Sequence, residues 1–186
     1  MNWLLIILIV LVVGAIVMYN TLVRLRVRVQ GAWADVDVQL KRRYDLIPNL
    51  LETVKGYAGH ERDTLEAVVS ARNRAMTASG ASERAEAENM LTGTLRSLFA
   101  LAEAYPQLRA VESFTGLQRS LEEIETAIQS ARRYYNAIVR DYNTKIEVFP
   151  SSLVASAFRF QPEEFFELTE EAQREAPKVS FGEGGS

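Results

Sequence analysis

The sequence predicts an all-α protein: an N-terminal single transmembrane helix, then an elongated antiparallel helical bundle of about four main helices, then a short helical tail. Three observations lead there. Trp3 to Tyr19 is a 17-residue run without a charge. Beyond it, apolar residues recur three and four apart along most of the chain, which is the period of a helix face. The one stretch that alternates in strand fashion, Arg24–Gln30, continues a helical pattern on both sides and reads as part of it. The expected divisions are 1–20 for the anchor, 21–149 for the bundle and 150–186 for the tail.

The anchor comes first. A bilayer core about 30 Å thick takes ~17–25 helical residues. The run sits at the short end of that range, and Asn20 to Val23 extend it by a turn. Trp3 and Tyr19 bracket it, as interfacial aromatics do. A cleaved signal peptide fits less well. No Lys or Arg precedes the run, it exceeds a hydrophobic region of ~7–15 residues, and no small-residue cleavage site follows. Arg24, Arg26 and Arg28 follow directly. The positive-inside rule then places the N-terminus outside and the body in the cytoplasm. The same three arginines are candidate lipid-headgroup contacts, each contributing about 1 kcal/mol near an anionic surface.

The first bundle helix begins inside this basic stretch. Leu22, Leu25, Val29, Trp33, Val36, Leu40, Ile47, Leu50, Val54 and Tyr57 form a heptad-like seam, and Arg43 fills its one skipped slot. Pro48 falls within the seam, and a mid-helix proline costs ~3 kcal/mol. A kink or brief break is therefore expected near Asp45–Pro48. Gly59 supplies a stop. A second helix is expected from about His60 to Thr77, with Leu65, Val68, Val69, Arg72 and Met76 on its face. Ser79-Gly80-Ala81-Ser82 is a turn, with Ser82 a candidate N-cap. The third helix shows Leu91, Leu95, Leu98, Ala102 and Tyr105 before Pro106 interrupts it. Ser113 is a candidate N-cap for the fourth. Its row is Leu117, Leu121, Ile124, Ile128, Ala131, Tyr135, Ile138 and Tyr142, ended by Pro150. Phe114 to Phe149 would make about 54 Å of helix. Short turns make such helices antiparallel neighbours, packed near +20°.

The tail changes character. Ser151 to Phe160 is rich in small residues and then aromatic. Pro162 with Glu163 and Glu164 resembles a helix start. Phe158, Phe160, Phe165 and Phe166 either fold back onto the bundle or form an exposed patch that contacts a partner. Gly182 to Ser186 are expected to be disordered.

Composition narrows the chemistry. At 48% hydrophobic and 24% charged residues the chain is too apolar for disorder. A net charge of −3 argues against nucleic-acid binding. The charge is graded: residues 21–79 carry a net +3, 80–148 a net −2 and 149–186 a net −4. With no cysteine and one histidine, disulfides, thiolate metal sites, cysteine nucleophiles and multi-histidine sites are excluded within one chain.

Few residues remain as candidates for function. His60-Glu61 are adjacent and so do not face each other on a helix; they read as residues near a cap. Lys41, Arg42 and Arg43 point in different directions around a helix, so one anion would meet only one or two of them. Arg43 occupies a core slot, where a charge must find a partner. Asp45, Asp37 or a carboxylate of another helix is the expected partner, and Arg43 with Asp45 is the candidate buried ion pair. Asn49, Asn136 and Asn143 lie close to seams and read as residues that fix register or partner. Glu88, Glu122 and Glu125 lack the Glu-x-x-His companions of a di-iron bundle. No phosphate loop, nucleophile elbow or H-E-x-x-H motif is present.

A dispersed set of residues resembles the LemA family. It includes Ala32-Trp33, Asp37 to Leu50 (DVQLKRRYDLIPNL), Val54 to Ala58, His60-Glu61 and Ala71-Arg72. It continues through Glu103 to Pro106, Phe114, Leu117-Gln118, Glu125, Arg132 to Asn136 and Tyr142-Asn143. Val111-Glu112 departs from the family's usual polar residue there. The resemblance implies a single-span bacterial membrane protein with a helical body, hence an inner-membrane location, and it brings no established reaction. The expected function is therefore a non-enzymatic interaction or scaffold module. The alternative is a regulatory or signalling subunit of a membrane protease or transport complex. Expected partners are the lipid bilayer and either the protein itself or another membrane protein, with no cofactor, metal, nucleic acid or small-molecule substrate.

Overall fold

The structure, a computed structural model, describes residues 2–167. Six helices follow one another: α1 (Asn2–Ala58), α2 (Arg62–Thr77), α3 (Ala81–Ala102), α4 (Pro106–Arg109), α5 (Glu112–Glu147) and α6 (Ser151–Ala157). There is no strand among the described residues, so the fold is all-α. The segment expected to be disordered, Gly182 to Ser186, lies outside the described residues.

Helix α1 dominates. Its 57 residues run as one helix, about 85 Å at 1.5 Å per residue. Its first part packs against almost nothing: Trp3, Leu8 and Leu11 are 79%, 61% and 65% exposed. That part is long and apolar enough to cross a membrane. From Leu22 onward a buried stripe begins, comprising Val29, Ala32, Val36, Leu40, Arg43, Ile47, Leu50, Val54 and Ala58. Leu25 of the expected seam is only half-buried, Tyr44 joins the buried residues, and two slots are exchanged. Ala32 takes the slot assigned to Trp33, which is half-buried, and Ala58 that of Tyr57, which is exposed.

No break occurs at Pro48. Proline lacks the N–H that would bond to the carbonyl four residues back, which is that of Tyr44. Arg72 on α2 supplies the missing donor: its Nε–H donates to the Tyr44 carbonyl at 2.9 Å. Pro48 itself lies on the exposed side, so its ring does not intrude on the core.

Helix α5 runs antiparallel to α1. Arg43 meets Glu125, and Trp33 stacks on Tyr135 at 5.2 Å. Ten residues along one helix thus match ten along the other. The buried row of α5 is Phe114, Leu121, Ile124, Ile128, Tyr135, Val139, Tyr142 and Ile146, with Leu117, Ala131 and Ile138 at its margins. The α2–α3 hairpin covers the distal half of this pair. Its facing residues are small: Val68, Ala71 and Ala75 on α2, Ala81 and Ala85 on α3. Small contact residues allow helix axes to approach closely. Val69 and Met76, expected to face inward, are 42% and 48% exposed. The buried positions of α2 are alanines, which hydropathy ranks low but close packing favours.

The caps also differ from expectation. Gly80, not Ser82, precedes α3, with φ +79 in the left-handed region that glycine tolerates. Glu83 closes the turn by accepting the Ser79 N–H at 2.9 Å. Val111, not Ser113, is the N-cap of α5. Beyond α5, the short tail helix forms in the small-residue stretch, as α6. The expected helix at Pro162 does not form, and residues 160–167 have no regular secondary structure.

These contacts predict a specific coupling at the proline. Arg72→Ala should cost about 1.5–3 kcal/mol, the usual value for a hydrogen bond to a charged group. In a Pro48→Ala background, residue 48 regains its N–H and satisfies the Tyr44 carbonyl within the helix, so the same substitution should cost much less. Urea denaturation of the four proteins in detergent measures this cycle. Equal costs in both backgrounds would mean that Arg72 does not compensate for the proline.

Candidate functional site

Two polar assemblies organise the bundle. The first is buried where α1, α3 and α5 meet. Arg43 is 4% exposed and Glu88 is 3% exposed. Arg43 Nη1–H donates to Glu88 Oε2 at 3.1 Å and lies 3.2 Å from Glu125 Oε2. Arg43 Nη2–H donates to Thr92 Oγ1 at 2.8 Å. The Tyr44 hydroxyl donates to the other Glu88 oxygen. One guanidinium therefore ties three helices together. The expected partner Asp45 is not involved. It lies one residue past Tyr44 on the solvent side, where Lys41 holds it at 2.9 Å. Asp37, the other local candidate, pairs with Arg84. Residues two apart in a helix point to different faces, so Asp45 has no route to Arg43.

Burial pushes the Glu88 carboxyl above its usual range, against the opposing pull of Arg43 and the Tyr44 hydroxyl. The Tyr44 hydroxyl is also raised, by burial first and then by the Glu88 charge. A cavity of about 240 Å³ adjoins the cluster, lined in part by Arg43, Glu88, Thr92, Arg96 and Arg132. The donors and acceptors of Arg43, Tyr44, Glu88 and Thr92 are turned toward one another. No group of metal-binding residues occurs among the described residues. What the cluster can do is hold one register among three helices.

The second assembly fastens the chain after α6. Residues 160–167 lie along α5 as an extended strap. Asn143 donates to the Glu163 carbonyl and accepts the Glu163 N–H, both at 2.9 Å. Asn136 does the same for Phe166, at 3.0 and 2.9 Å. The hydroxyls of Tyr142 and Tyr135 donate to the carbonyls of Gln161 and Glu164 at 2.9 and 2.8 Å. The spacing has a geometric cause. Seven helical residues rise about 10.5 Å, and three extended residues span about 10 Å. Pairs seven apart on α5 thus meet pairs three apart on the strap. Burial, with Glu163 and Glu164 nearby, pushes the Tyr135 hydroxyl up to about 12, so it remains a donor at neutral pH.

The strap settles where the tail phenylalanines go. Phe166 is fully buried, against Trp33 at 5.8 Å and under the Arg132 guanidinium at 4.7 Å. Phe160 and Phe165 are half-buried against the core. These three are not a free patch; only Phe158 is mostly exposed, at 61%. Asn49 does not act as a seam residue either, since it lies on the exposed face. Arg24, Arg26 and Arg28 are all exposed. Arg24 and Arg28 share a face, whereas Arg26 lies toward Tyr142, whose hydroxyl pKa it lowers against the dominant effect of burial. His60 is exposed in the α1–α2 turn, and Glu61 accepts a hydrogen bond from the Tyr105 hydroxyl at 3.0 Å.

The buried cluster makes a direct prediction. Glu88→Ala removes the buried partner of Arg43 and leaves it the more exposed Glu125, so it should cost about 1–3 kcal/mol, while Arg43→Met with Glu88→Leu should recover most of it. The folded chain holds the Glu88 proton more tightly than the unfolded chain, whose value is 4.5. The stability contributed by this shift is complete below that pH and is lost as the pH rises through the raised value. The stability of the wild type relative to Glu88→Gln, which does not titrate, should therefore fall as the pH rises above 4.5. Denaturant titrations across pH measure both. A cost below ~1 kcal/mol for Glu88→Ala would remove the cluster from its structural role.

Comparisons with known proteins agree with this architecture. The chain is 24% identical over 175 residues to magnetosome protein MamQ 2 of Paramagnetospirillum magneticum, covering 80% of this chain and 64% of the relative. It therefore spans a little under two thirds of that relative's length. The magnetosome protein MamQ of Magnetospirillum gryphiswaldense is likewise 24% identical, with the same coverage. Protein LemA of Metamycoplasma hominis is 23% identical over 152 residues, covering 81% of this chain and 69% of the relative. A sequence model described as the LemA family matches residues 32–181, and this chain belongs to the LemA family.

Proposed function

We propose that this chain is a membrane-anchored, non-enzymatic interaction or scaffold module. The observation that carries the reading is the continuity of α1. One helix supplies both the bare apolar segment and the spine of the bundle, with no linker between them. A bundle joined to its anchor in this way is held at a fixed distance and angle from the membrane. The polar groups of the core are turned toward one another, which suits a rigid body more than a reaction site. The names of the relatives, LemA and magnetosome protein, fit a membrane-associated role.

On this reading α1 crosses the bacterial inner membrane once. Arg24, Arg26 and Arg28 lie at the cytoplasmic headgroups, and the bundle is cytoplasmic. The partners are the bilayer and either further copies or a second membrane protein. The same stiff connection would serve a regulatory subunit of a membrane protease or transport complex, because tilt of the span would move the distal bundle. The scaffold reading is preferred because Arg43 is held at once by groups of α3 and α5, which suits a single rigid packing.

Crosslinking of the full-length protein in native membranes, followed by carbonate extraction and mass spectrometry, tests the proposal. The protein should stay in the carbonate-resistant fraction and be recovered crosslinked to itself. Recovery with one stoichiometric membrane enzyme would favour the regulatory reading. Release by carbonate, or turnover by the purified protein that a core substitution abolishes, would refute the proposal.

A further inference from the structure

The register of α1 and α5 fixes what stands at the membrane end of the bundle. Trp33 meets Tyr135. Fourteen residues from each, toward the apolar run, stand Tyr19, the last residue of that run, and Phe149, two residues past the end of α5. The ring contacts agree with that count: Tyr19 packs on Phe158 at 4.7 Å and on Phe160 at 5.8 Å. The α5–α6 turn and α6 therefore sit level with the end of the membrane segment.

This tip is apolar on its outer side. Ser151, Val154 and Ala155 of α6 are buried against the bundle. Phe149, Leu153 and Phe158 are 80%, 64% and 61% exposed. They are the only exposed leucine or phenylalanine side chains among the described residues beyond Tyr19. Elsewhere on the body, exposed apolar residues such as Val38, Met76 and Tyr134 lie on different helices, α1, α2 and α5, and such scattered exposure is ordinary. Residues 148–158 contain no charged side chain, so removing this tip from water strips no ion of its hydration. Arg159 follows at once, exposed, and Arg24 lies one helical turn beyond Tyr19. Both stand where headgroup phosphates would be. The tip is also held in shape, since the Ser151 hydroxyl lies 2.7 Å from the Lys145 carbonyl.

We propose that the Phe149–Phe158 tip is a second membrane-contacting element, which seats Phe149, Leu153 and Phe158 in the interfacial layer of the phospholipid bilayer that α1 spans. The occupant is lipid because the patch is continuous with the membrane segment through Tyr19 and lies at its level. With two points of contact, the span and the tip, the bundle is fixed in rotation about α1 as well as in height. This inference rests on the spanning reading given above.

The absence of native cysteine allows single nitroxide labels on the full chain in nanodiscs of phosphatidylcholine and phosphatidylglycerol. Collision with oxygen reports lipid exposure, and collision with an aqueous nickel chelate reports water. Val10→Cys tests the span, Glu66→Cys on α2 is the aqueous reference, and Leu153→Cys and Phe149→Cys test the tip. The expected result is an oxygen-to-nickel ratio at positions 153 and 149 shifted away from Glu66→Cys toward Val10→Cys. If both tip labels match Glu66→Cys while Val10→Cys remains in lipid, the tip proposal fails and the span stands. If Val10→Cys is open to nickel, the span fails and takes the tip proposal with it. Shielding of the tip labels from both reagents would mean a protein contact, a second copy included, and would also overturn the proposal.

Discussion

Helix α1 carries an all-round apolar run and a one-sided buried stripe without interruption, and the rest of the molecule follows from that constraint. Its first twenty residues are apolar all round, while from Leu22 onward only one stripe is apolar. No glycine or proline marks the change between these two regimes; Gly14 lies within the apolar run and Gly31 well inside the bundle. Nothing local therefore ends the helix where the bare apolar run gives way to the buried stripe. Every other element then finds its place against α1 or against α5, which α1 positions. Helix α4 closes the far end and α6 the near one.

A long apolar stripe specifies packing weakly along its length, because a partner shifted by a heptad meets a similar surface. The polar residues remove that freedom. Arg43 is satisfied only when Glu88, Thr92 and Glu125 all reach it, which fixes α3 and α5 against α1 at one register. A buried pair of this kind need not add stability over an apolar replacement. Its contribution here is to the choice of arrangement. The asparagine and tyrosine pairs of α5 do the same for the strap, by matching a helical repeat to an extended one.

The helices were legible in the sequence because long amphipathic rows dominate local detail. Leu121, Ile124, Ile128, Tyr135 and Tyr142 of α5 and Leu91, Leu95, Leu98 and Ala102 of α3 are legible as buried positions, whereas Phe114, Val139 and Ile146 are not. Of the kink or break that Pro48 suggests, the break does not occur; its remedy, Arg72, comes from another helix and leaves no local signal. The buried face of α2 was missed because alanine gives a weak hydropathy signal. Arg43 is legible as a core charge from its slot; of the partners its position allows, carboxylates of other helices, Glu88 and Glu125, take it, and the nearby Asp45 does not. A usable signal existed: Glu88 stands three before Leu91 and so fills a seam slot of α3. Two charged residues in two seams are each other's natural partners. The strap was not legible, since Pro162-Glu163-Glu164 reads as a helix start when considered alone. Four side chains on α5 outweigh that preference.

The central claim is that α1 is one rigid rod from its bare apolar segment to the distal end of the bundle. The most direct test is the distance between nitroxides at Val17→Cys and Glu52→Cys, both exposed positions, in the full chain in nanodiscs. Thirty-five helical residues separate them, so a single narrow distribution near ~52 Å is predicted. A broad or distinctly shorter distribution would place a hinge between anchor and bundle and would contradict the account.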